Sequence, residues 1–277
     1  MKFTKMHGIG NDYVYINCFE EKVEDPSALS LLMSRPHFGV GADGLVLIGP
    51  SEEADCEMRV FNSDGSEADM SGNGIRCVGK YVREHGITDK DELTVSTKAG
   101  LKKLQLTVEG DKVTRVRVDM GEPRFRPDQV PVTLPGDRVV GYPLNILGED
   151  RIITCVNMGN PHAVIFVNDP LRVDLPVIGG MIEHYPLFPR RTNVDLVRII
   201  RRDVLEVRGW ERGAGETLAS GTGACAALAA AVVNDLADRK AQVKLAGGNL
   251  QLEWDETDGH IYQSGPAVYV FEGEWLA

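Results

Sequence analysis

The sequence lacks the features that mark membrane proteins, nucleic-acid-binding proteins and secreted disulfide-rich domains. No stretch approaches the roughly 18 consecutive apolar residues of a membrane span, and residues 1–5 lead into polar sequence without an apolar signal segment. Basic residues are outnumbered by acidic ones, 30 to 41, and form no cluster. Neither nucleic acid nor an anionic membrane is therefore expected as a partner. These absences predict a soluble cytoplasmic protein.

Cysteine is also sparse, and its spacing argues against the common cysteine-based sites. The five cysteines form neither a CxxC pair nor a Cys/His zinc pattern, so we expect thiols in a reducing compartment, most of them in the core. A Walker loop and a Gly-x-Gly-x-x-Gly turn after a strand are missing too. The sequence therefore predicts no metal and no cofactor. The cysteines are Cys18, Cys56, Cys77, Cys155 and Cys225.

Short β-rich runs, separated by Gly, Pro, Asn and Asp, make up most of the chain. Helical patterns are confined to four segments, residues 26–35, 74–84, 175–184 and 222–235. The last segment is rich in alanine and apolar on nearly every side, so it must be enclosed, and its small side chains let strands approach closely. We predict an α/β (α+β) fold in which strands wrap around the helices at 74–84 and 222–235.

One short phrase occurs twice. Residues 69–74 read Asp-Met-Ser-Gly-Asn-Gly and residues 218–223 read Leu-Ala-Ser-Gly-Thr-Gly, with the two serines 220 − 71 = 149 residues apart. The chain therefore reads as two copies of one unit, and we expect a single site between the halves, approached by equivalent groups from opposite sides. The same offset pairs Arg59 with Arg208, Asn62 with Glu211, Glu67 with Glu216, and Gly10-Asn11 with Gly159-Asn160.

The repeat also sets the predicted domain boundaries. We place the first half at residues 1–120 together with 266–277, and the second at residues 121–265. The proline-rich stretch 122–135 is the predicted crossover. The last strand-like run, 267–272, lies beyond the second copy, so we expect it to return to the first half.

The repeated phrase places a serine where each central helix starts. A Ser-Gly-x-Gly turn at a helix start gathers unpaired N–H groups and the positive end of the helix dipole, which suits an anion such as a carboxylate. Ser71 and Ser220 could be plain helix N-caps, but two copies at one offset favour a functional role. Two equivalent loops suit proton removal on one face of a carbon centre and delivery on the other, as in an epimerase or racemase.

Five segments, spread in order over nearly the whole chain, resemble the signature segments of the diaminopimelate epimerase family. Any one of them is a weak signal, but together they are a strong one. The segments are His-Gly-Ile-Gly-Asn-Asp-Tyr at 7–13, Val-Gly-Ala-Asp-Gly at 40–44, Phe-Asn-Ser-Asp-Gly-Ser-Glu at 61–67, Met-Gly-Asn-Pro-His at 158–162 and Glu-Arg-Gly-Ala-Gly-Glu-Thr at 211–217.

The resemblance implies a cofactor-independent isomerase that interconverts LL- and meso-2,6-diaminopimelate on the route to lysine and peptidoglycan. It implies two pseudo-symmetric halves, each a mostly antiparallel sheet curled around a central helix, with the site in the cleft and with a homodimer as a further expectation. By matching motifs it implies these substrate contacts, some through backbone N–H groups: Asn11, Asn62, Gly72, Asn73, Asn160, Asn193, Glu211, Arg212, Gly221 and Thr222. His162 and Glu216 would be neighbouring support.

These residues also have interpretations that involve no substrate. The asparagines at 11, 62 and 160 stand in sequence that favours turns. Glu211 and Arg212 could form a solvated ion pair worth little, and His162 could be a core or strand-end histidine. Their joint occurrence in matched loops favours the functional interpretation.

The chain departs from the family pattern at the two catalytic positions. The family has cysteine before each Gly-x-Gly, as acid and base, whereas this chain has Ser71 and Ser220. Cys77 and Cys225 lie inside the predicted helices and do not replace them. A thiol starts near a pKa of about 8.5, but a hydroxyl starts far higher, and a helix dipole contributes only about 0.3–1 kcal/mol, up to ~2 when partly buried. Gly44 also stands where some relatives have Gln.

Three hypotheses follow, all with severely impaired two-base chemistry at the serines. The chain is a substrate-trapping form of the epimerase, in which the binding loops remain and the bases are gone. Alternatively, it is a natural non-catalytic paralogue that binds an amino acid. In the third hypothesis it is a related isomerase with another acid or base, such as Glu67, Glu211 or Glu216.

Overall fold

Two compact units make up the computed structural model, which describes residues 1–276. The first unit is Met1–Asp119 with Ser264–Ala277, and the second is Met120–Gln263. Over the described residues the fold is mixed α/β, mostly sheet, with four α-helices. Within the same residues, no helix combines the length and the apolar character needed to cross a bilayer.

From β1 (Lys2–Gly8) in the first unit and from β10 (Glu149–Asn157) in the second, the elements follow one order: two strands, a helix, three strands, a helix and three strands. In chain order the elements are β1 (Lys2–Gly8), β2 (Asn11–Asn17), α1 (Pro26–Met33), β3 (Gly44–Gly49), β4 (Cys56–Asn62), β5 (Glu67–Ala68), α2 (Gly72–Glu84), β6 (Glu92–Thr97), β7 (Gly100–Glu109), β8 (Lys112–Asp119), β9 (Tyr142–Ile146), β10 (Glu149–Asn157), β11 (Pro161–Phe166), α3 (Leu175–Glu183), β12 (Asn193–Arg201), β13 (Val204–Glu211), β14 (Gly215–Thr217), α4 (Gly221–Val233), β15 (Lys240–Leu245), β16 (Gly248–Trp254), β17 (Ile261–Gly265) and β18 (Val268–Glu274).

The first unit is mostly antiparallel. Strand β1 pairs antiparallel with both β2 and β18. The pairs β3–β4, β6–β7 and β7–β8 are antiparallel as well, while β2–β3 and β4–β6 are parallel. Helix α2 packs against β1, β2, β7 and β8, so strands cover it on several sides, as the sequence predicts.

Helix α2 owes its position to its cap and to its apolar stripe. Ile75, Val78 and Val82 are fully buried, at the i, i+3, i+4 spacing that gives a helix one core-facing side. At Gly79 a Cβ would lie 2.8 Å from Cδ2 of Leu104, so the missing side chain lets β7 approach. Burying such side chains contributes about 1.5–3 kcal/mol each.

The second unit repeats this pattern around a helix with no polar stripe. The pairs β11–β12 and β13–β15 are parallel, and β9–β10, β10–β11, β12–β13 and β15–β16 are antiparallel. Helix α4 packs against β10, β11, β12, β13, β15 and β16. Its run from Ala224 to Ala231 is fully buried, which confirms that an all-apolar helix lies inside the strands.

The four predicted helices are confirmed, with ends that differ by at most two residues. Five strands were missed: β1, β5, β9, β14 and β17. In β1 the pattern is hidden by Lys5, which lies in a buried stretch of the strand and forms an ion pair with Asp12 and a hydrogen bond to the carbonyl of Gly41. Because a buried position of β1 is occupied by a charged residue, the sequence does not alternate between apolar and polar residues as a half-buried strand normally does.

Candidate active site

Ser71 caps the first central helix. Its backbone is extended (φ −127°, ψ 117°), and its Oγ accepts a hydrogen bond from the N–H of Gly74 at 3.0 Å. The side chain is half-buried. The residue is therefore an N-cap, as its simplest interpretation requires, and its hydroxyl also lies at the positive end of the helix dipole.

The hydroxyl of Ser71 connects to a chain of polar groups in the first unit. It donates to Oδ1 of Asn11 at 3.4 Å, and Nδ2 of Asn11 donates to Oδ2 of Asp43 at 2.7 Å. The same carboxylate oxygen accepts the backbone N–H of Asp12 at 3.1 Å. Asp43 therefore fixes the amide of Asn11, so that its oxygen points to Ser71.

Asn73 and a buried arginine complete the start of α2. Nη2 of Arg76 donates to Oδ1 of Asn73 at 2.9 Å, and Nη1 donates to the carbonyl of Gly72 at 3.0 Å. Asn73 and Arg76 are buried. The Asn73 side chain is thus held in place by Arg76.

Asn62 and Glu67 form a separate group beside the first loop. Nδ2 of Asn62 donates to Oγ of Ser66 at 3.0 Å. Oε1 of Glu67 accepts from Nε of Arg59 at 2.8 Å. Glu67 is therefore engaged in an ion pair with Arg59.

Ser220 caps the second central helix with nearly the same geometry. Its φ of −112° and ψ of 117° match those of Ser71, and its Oγ accepts from the N–H of Gly223 at 3.2 Å. Oγ also lies 3.5 Å from Oγ1 of Thr222. Ser220 and Gly221 are buried and Thr222 is half-buried.

A fully buried histidine lies close to the second loop. Nδ1 of His162 is 2.7 Å from Oδ2 of Asp195, so the imidazole donates there to a carboxylate. Nε2 lies 2.9 Å from Oδ1 of Asn160 and 3.3 Å from Nδ2 of Asn193. The first neighbour suits a protonated Nε2 and the second an unprotonated one, so His162 has a partner in either charge state.

The carboxylate of Asp195 lies directly against the first turn of α4. A Cβ on Gly223 would be 2.5 Å from Oδ1 of Asp195, which only glycine avoids. Asp195 is 1% exposed, and the positive end of the helix dipole favours its charge.

Glu211 is a titratable side chain that forms a hydrogen bond with Ser220. Its Oε1 accepts from Oγ1 of Thr217 at 3.0 Å. Loss of solvent on burial raises the pKa of the Glu211 carboxyl, and Asp195 adds to this; hydrogen bonds from Thr217 and Ser220 and the nearby His162 oppose it. A pKa shifted by burial together with specific neighbours is typical of groups in acid/base sites.

The turn that carries Glu211 and Arg212 is held from two sides. Oδ1 of Asn193 accepts the backbone N–H of Arg212 at 3.0 Å. The buried carboxylate of Glu183 accepts the N–H of Gly213 at 3.0 Å and Nε1 of Trp210 at 2.8 Å. The Arg212 side chain is exposed and donates to the carbonyl of Arg190 at 3.0 Å.

Glu216 is occupied by an arginine. It forms a two-point ion pair with Arg208, with Nε–Oε1 at 2.6 Å and Nη2–Oε2 at 2.9 Å, and this pairing lowers the pKa of the Glu216 carboxyl. Of the three glutamates considered as alternative bases, Glu67 and Glu216 are paired with guanidinium groups, and Glu211 is the one with a raised pKa.

Within the first unit the structure joins Ser71 to Asn11 and holds Asn73 at the helix start, while Asn62 bonds to Ser66. Within the second unit it joins His162 to Asn160 and Asn193, and Glu211 to Thr217, near Ser220. Cys77 and Cys225 are fully buried in α2 and α4, and burial raises the pKa of the Cys77 thiol. Both are packing residues, as predicted.

The sequence analysis missed three supporting carboxylates. Asp43 stands inside one quoted segment, but no role was assigned to it. Asp195 interrupts an apolar strand, and Glu183 ends an apolar helix; a charge inside an apolar run is the signal that could have identified both. Among residues 1–276, no cluster of three or more His, Cys, Asp or Glu side chains is arranged to hold a metal.

Comparisons with known proteins identify the family. The family model described as diaminopimelate epimerase matches residues 3–126 and 154–270. A diaminopimelate epimerase of Acetivibrio thermocellus is 56% identical over 274 residues, covering 99% of this chain and 98% of that protein. One of Desulfovibrio desulfuricans is 52% identical over 281 residues, covering 99% and 98%. The chain belongs to the diaminopimelate epimerase family.

Solved structures of much lower identity share the fold. A probable proline racemase of Agrobacterium radiobacter K84 superposes with a TM-score of 0.73 at 15% identity, covering 99% of this chain and 92% of that one. A PhzF-family phenazine biosynthesis protein of Bacillus anthracis gives 0.70 at 19% identity, covering 100% and 99%. The predicted fold class is confirmed.

Proposed function

We propose that this member of the diaminopimelate epimerase family has the binding apparatus for cofactor-independent epimerisation of LL-2,6-diaminopimelate to the meso form, and that Ser71 and Ser220 occupy the two acid/base positions. One group would take the α-proton, and the other would deliver a proton to the opposite face of the carbanion. No electrons are gained or lost, so the reaction needs no oxidant or reductant. Relatives that carry this name and match 99% of the chain at above 50% identity support the assignment.

The observation that carries the proposal is the matched geometry of the two serines. Each is an N-cap with φ and ψ within 15° of the other, and each hydroxyl lies where a helix start favours negative charge. A thiolate at such a place is the nucleophile or base that helix N-termini stabilise in other proteins. The hydroxyl is instead a hydrogen-bond acceptor from the helix and stays protonated at neutral pH.

The substrate groups that these loops would bind follow from their chemistry. The backbone N–H groups at Gly72-Asn73 and Gly221-Thr222 would bind a substrate carboxylate. The amides of Asn11, Asn62, Asn160 and Asn193 can bind either a carboxylate or an ammonium group. Glu211 suits an ammonium group and Arg212 a carboxylate, with His162 and Glu216 as supporting residues.

With serine at both positions, the chain would then bind the substrate without converting it. Hydroxyls at both positions leave the loops intact, because serine differs from cysteine by one atom. The dipole of a partly buried helix start contributes at most about 2 kcal/mol, which is far too little to generate an alkoxide. We therefore assign the chain as a substrate-trapping form.

One further candidate function has an observation in its favour. Glu211 has a pKa raised by burial and a hydrogen bond to Ser220, so it could act as the base of a related isomerase. In that case Glu211→Gln would abolish exchange, whereas substituting the serines would have little effect.

The test is α-proton exchange of LL-diaminopimelate in heavy water, combined with calorimetric binding of the same compound. We expect the serine chain to bind without exchange, and the Ser71→Cys/Ser220→Cys variant to exchange and to form the meso isomer. Exchange by the serine chain at a comparable rate would assign the chemistry to another residue. Binding by both forms with exchange by neither would favour the non-catalytic amino-acid-binding protein.

A further inference from the structure

The carbonyl of the glycine that follows each of the two serines accepts a hydrogen bond from a buried side chain. In the first unit this side chain is Arg76, whose guanidinium donates from Nη1 to the carbonyl of Gly72 (3.0 Å), from Nη2 to Oδ1 of Asn73 (2.9 Å) and from Nε to the carbonyl of Pro266 (3.2 Å). All three nitrogens of the planar guanidinium therefore donate hydrogen bonds, which fix the position of its positive charge.

The surroundings of Arg76 are built to hold it. The side chain is completely buried, and a Cβ on Gly8 would lie 2.9 Å from its Nη2 and 2.9 Å from the carbonyl oxygen of Asn73. Glycine at position 8 is therefore required for β1 to approach the guanidinium. A buried charge is costly unless its donors are satisfied, and here carbonyl and amide oxygens satisfy them.

The second unit bonds the equivalent carbonyl with a neutral group. The offset partner of Arg76 is Cys225, since 225 − 76 = 149, so the second unit has no guanidinium at this position. Instead Nε2 of Gln263, on β17, donates to the carbonyl of Gly221 at 2.8 Å and to Sγ of Cys225 at 3.7 Å. Gln263 is also completely buried.

A hydrogen bond to a peptide carbonyl makes the N–H of the same peptide a stronger donor. The bonded carbonyls belong to the Gly72–Asn73 and Gly221–Thr222 peptides, whose N–H groups lie at the helix starts. A charged donor forms a stronger bond than a neutral one, and its charge adds a direct attraction for an anion in a poorly solvated site.

From these contacts we infer that Arg76 and Gln263 are positioning residues that polarise the two helix-start peptides, and that the charged one makes the first loop the stronger site for an anion. This rests on the proposed function only in assigning an acid/base group to positions 71 and 220. The two positions are then chemically unequal: a thiol introduced at 71 is the one held in its anionic form at rest, and a thiol introduced at 220 holds its proton.

Other charges near the two loops act in the same direction. Position 71 faces the Asn11–Asp43 pair, with the Lys5–Asp12 ion pair behind it, and Asp69 nearby is paired with Lys98 at 3.5 Å. Near position 220 the titratable groups are Glu211, His162 and Asp195. The Asp195 carboxylate beside position 220, itself hydrogen-bonded to His162, opposes an anion there, whereas Asp43 is separated from Ser71 by a neutral amide.

The experiment measures thiol ionisation without substrate. The variants Ser71→Cys and Ser220→Cys are made singly, and the rate of iodoacetamide alkylation at each introduced thiol is followed by mass spectrometry from pH 5 to 10. The native cysteines, including Cys77 and Cys225, are distinguished from the introduced thiols by fragmentation of the alkylated peptides. We expect the pKa of the thiol at 71 to be lower than that at 220 by about one unit, a tenfold difference in ionisation constant.

The role of Arg76 is then tested in the Ser71→Cys background. Arg76→Gln should raise the pKa of the thiol by about one unit, and Arg76→Lys, which keeps the charge, should restore most of the shift. Arg83→Gln is the matched control, because it removes the same charge near the end of the same helix, where Arg83 pairs with Asp91 at 3.0 Å, and it should leave the thiol unchanged.

An equal or reversed order of the two thiol pKa values would overturn the inference, and this comparison needs only isosteric variants that preserve the fold. An unchanged thiol in a folded Arg76→Gln variant would overturn it as well. Failure of the proposed function would show instead in the Ser71→Cys/Ser220→Cys enzyme, as a lack of epimerisation, whatever the thiol pKa values are.

Discussion

The loops that begin α2 and α4 have nearly the same backbone conformation, but the side chains that surround them differ. Where the second unit has His162, the first has Tyr13 (162 − 149 = 13), and where the second has Asp195, the first has Val46 (195 − 149 = 46). In return the first unit has Arg76 where the second has Cys225. The second loop is therefore backed by an imidazole hydrogen-bonded to a carboxylate, and the first by a guanidinium.

The two units are alike in the geometry of their helix starts and unlike in the side chains around them. The caps, the glycines and the central helices keep their geometry in both copies, because they place N–H groups at a helix start. The side chains that set local charge have diverged. A reaction in which one group takes a proton while another gives one benefits from such inequality, since identical surroundings would favour the same protonation state at both positions.

The largest expected effect comes from removing the buried acid of the second loop. Asp195→Ala leaves buried His162 without its carboxylate partner, and we expect a loss of about 3–5 kcal/mol in the free energy of unfolding. The matched change in the first unit, Val46→Ala, removes only apolar contacts and should cost about 1.5 kcal/mol. Urea unfolding of both variants checks this, and equal losses would contradict the assignment of a charged pair.

The two helix-start glycines should also respond unequally. Gly223→Ala would place a Cβ 2.5 Å from the Asp195 carboxylate, whereas Gly74→Ala would place one 3.0 Å from the flexible end of Met58. We expect the first change to cost about 1–3 kcal/mol. The second should lie within about 1 kcal/mol of zero, because alanine favours a helix more than glycine does. The same unfolding measurement would contradict the structure if Gly74→Ala were the more harmful.

The free energy of unfolding should depend on pH partly through Glu211. Asn62, which occupies the matching position in the first unit, does not titrate and should contribute nothing to this dependence. Because the pKa of Glu211 is raised above its ordinary value of 4.5, the folded state binds more protons than the unfolded state above that value. This contribution to stability is present below the unfolded pKa and is lost as pH rises through the folded pKa. Glu211→Gln should flatten the fall in unfolding free energy above pH 4.5, and Asn62→Ala should leave its shape unchanged.

The smallest effects are expected where the two units are alike. Glu67 and Glu216 each pair with an arginine at the surface, Arg59 and Arg208, and are about one-third exposed. Glu67→Gln and Glu216→Gln should each cost no more than about 1 kcal/mol in thermal or urea unfolding. A large loss at Glu216 alone would show that its role differs from that of its offset partner.

The backbone of the sites was predictable from the sequence, and their charge environment was not. A Ser-Gly-x-Gly turn before an apolar run predicts the starts of α2 and α4 within two residues, because capping is local. A charge inside an apolar strand or helix marks Asp195 and Glu183, but their partners, His162 and Trp210, lie beside them only after the chain has folded. The link from Gln263 to Gly221 spans 263 − 221 = 42 residues, so no local pattern contains it.

The most direct test of the account is the formation of meso-diaminopimelate from the LL isomer by four forms of the chain: the serine chain, Ser71→Cys, Ser220→Cys and the double variant. We predict that only the double variant forms the meso isomer at an appreciable rate, because inversion needs one group to take the proton and another to deliver it. Formation of the meso isomer by the serine chain at a rate comparable to that of the double variant would contradict the assignment of Ser71 and Ser220.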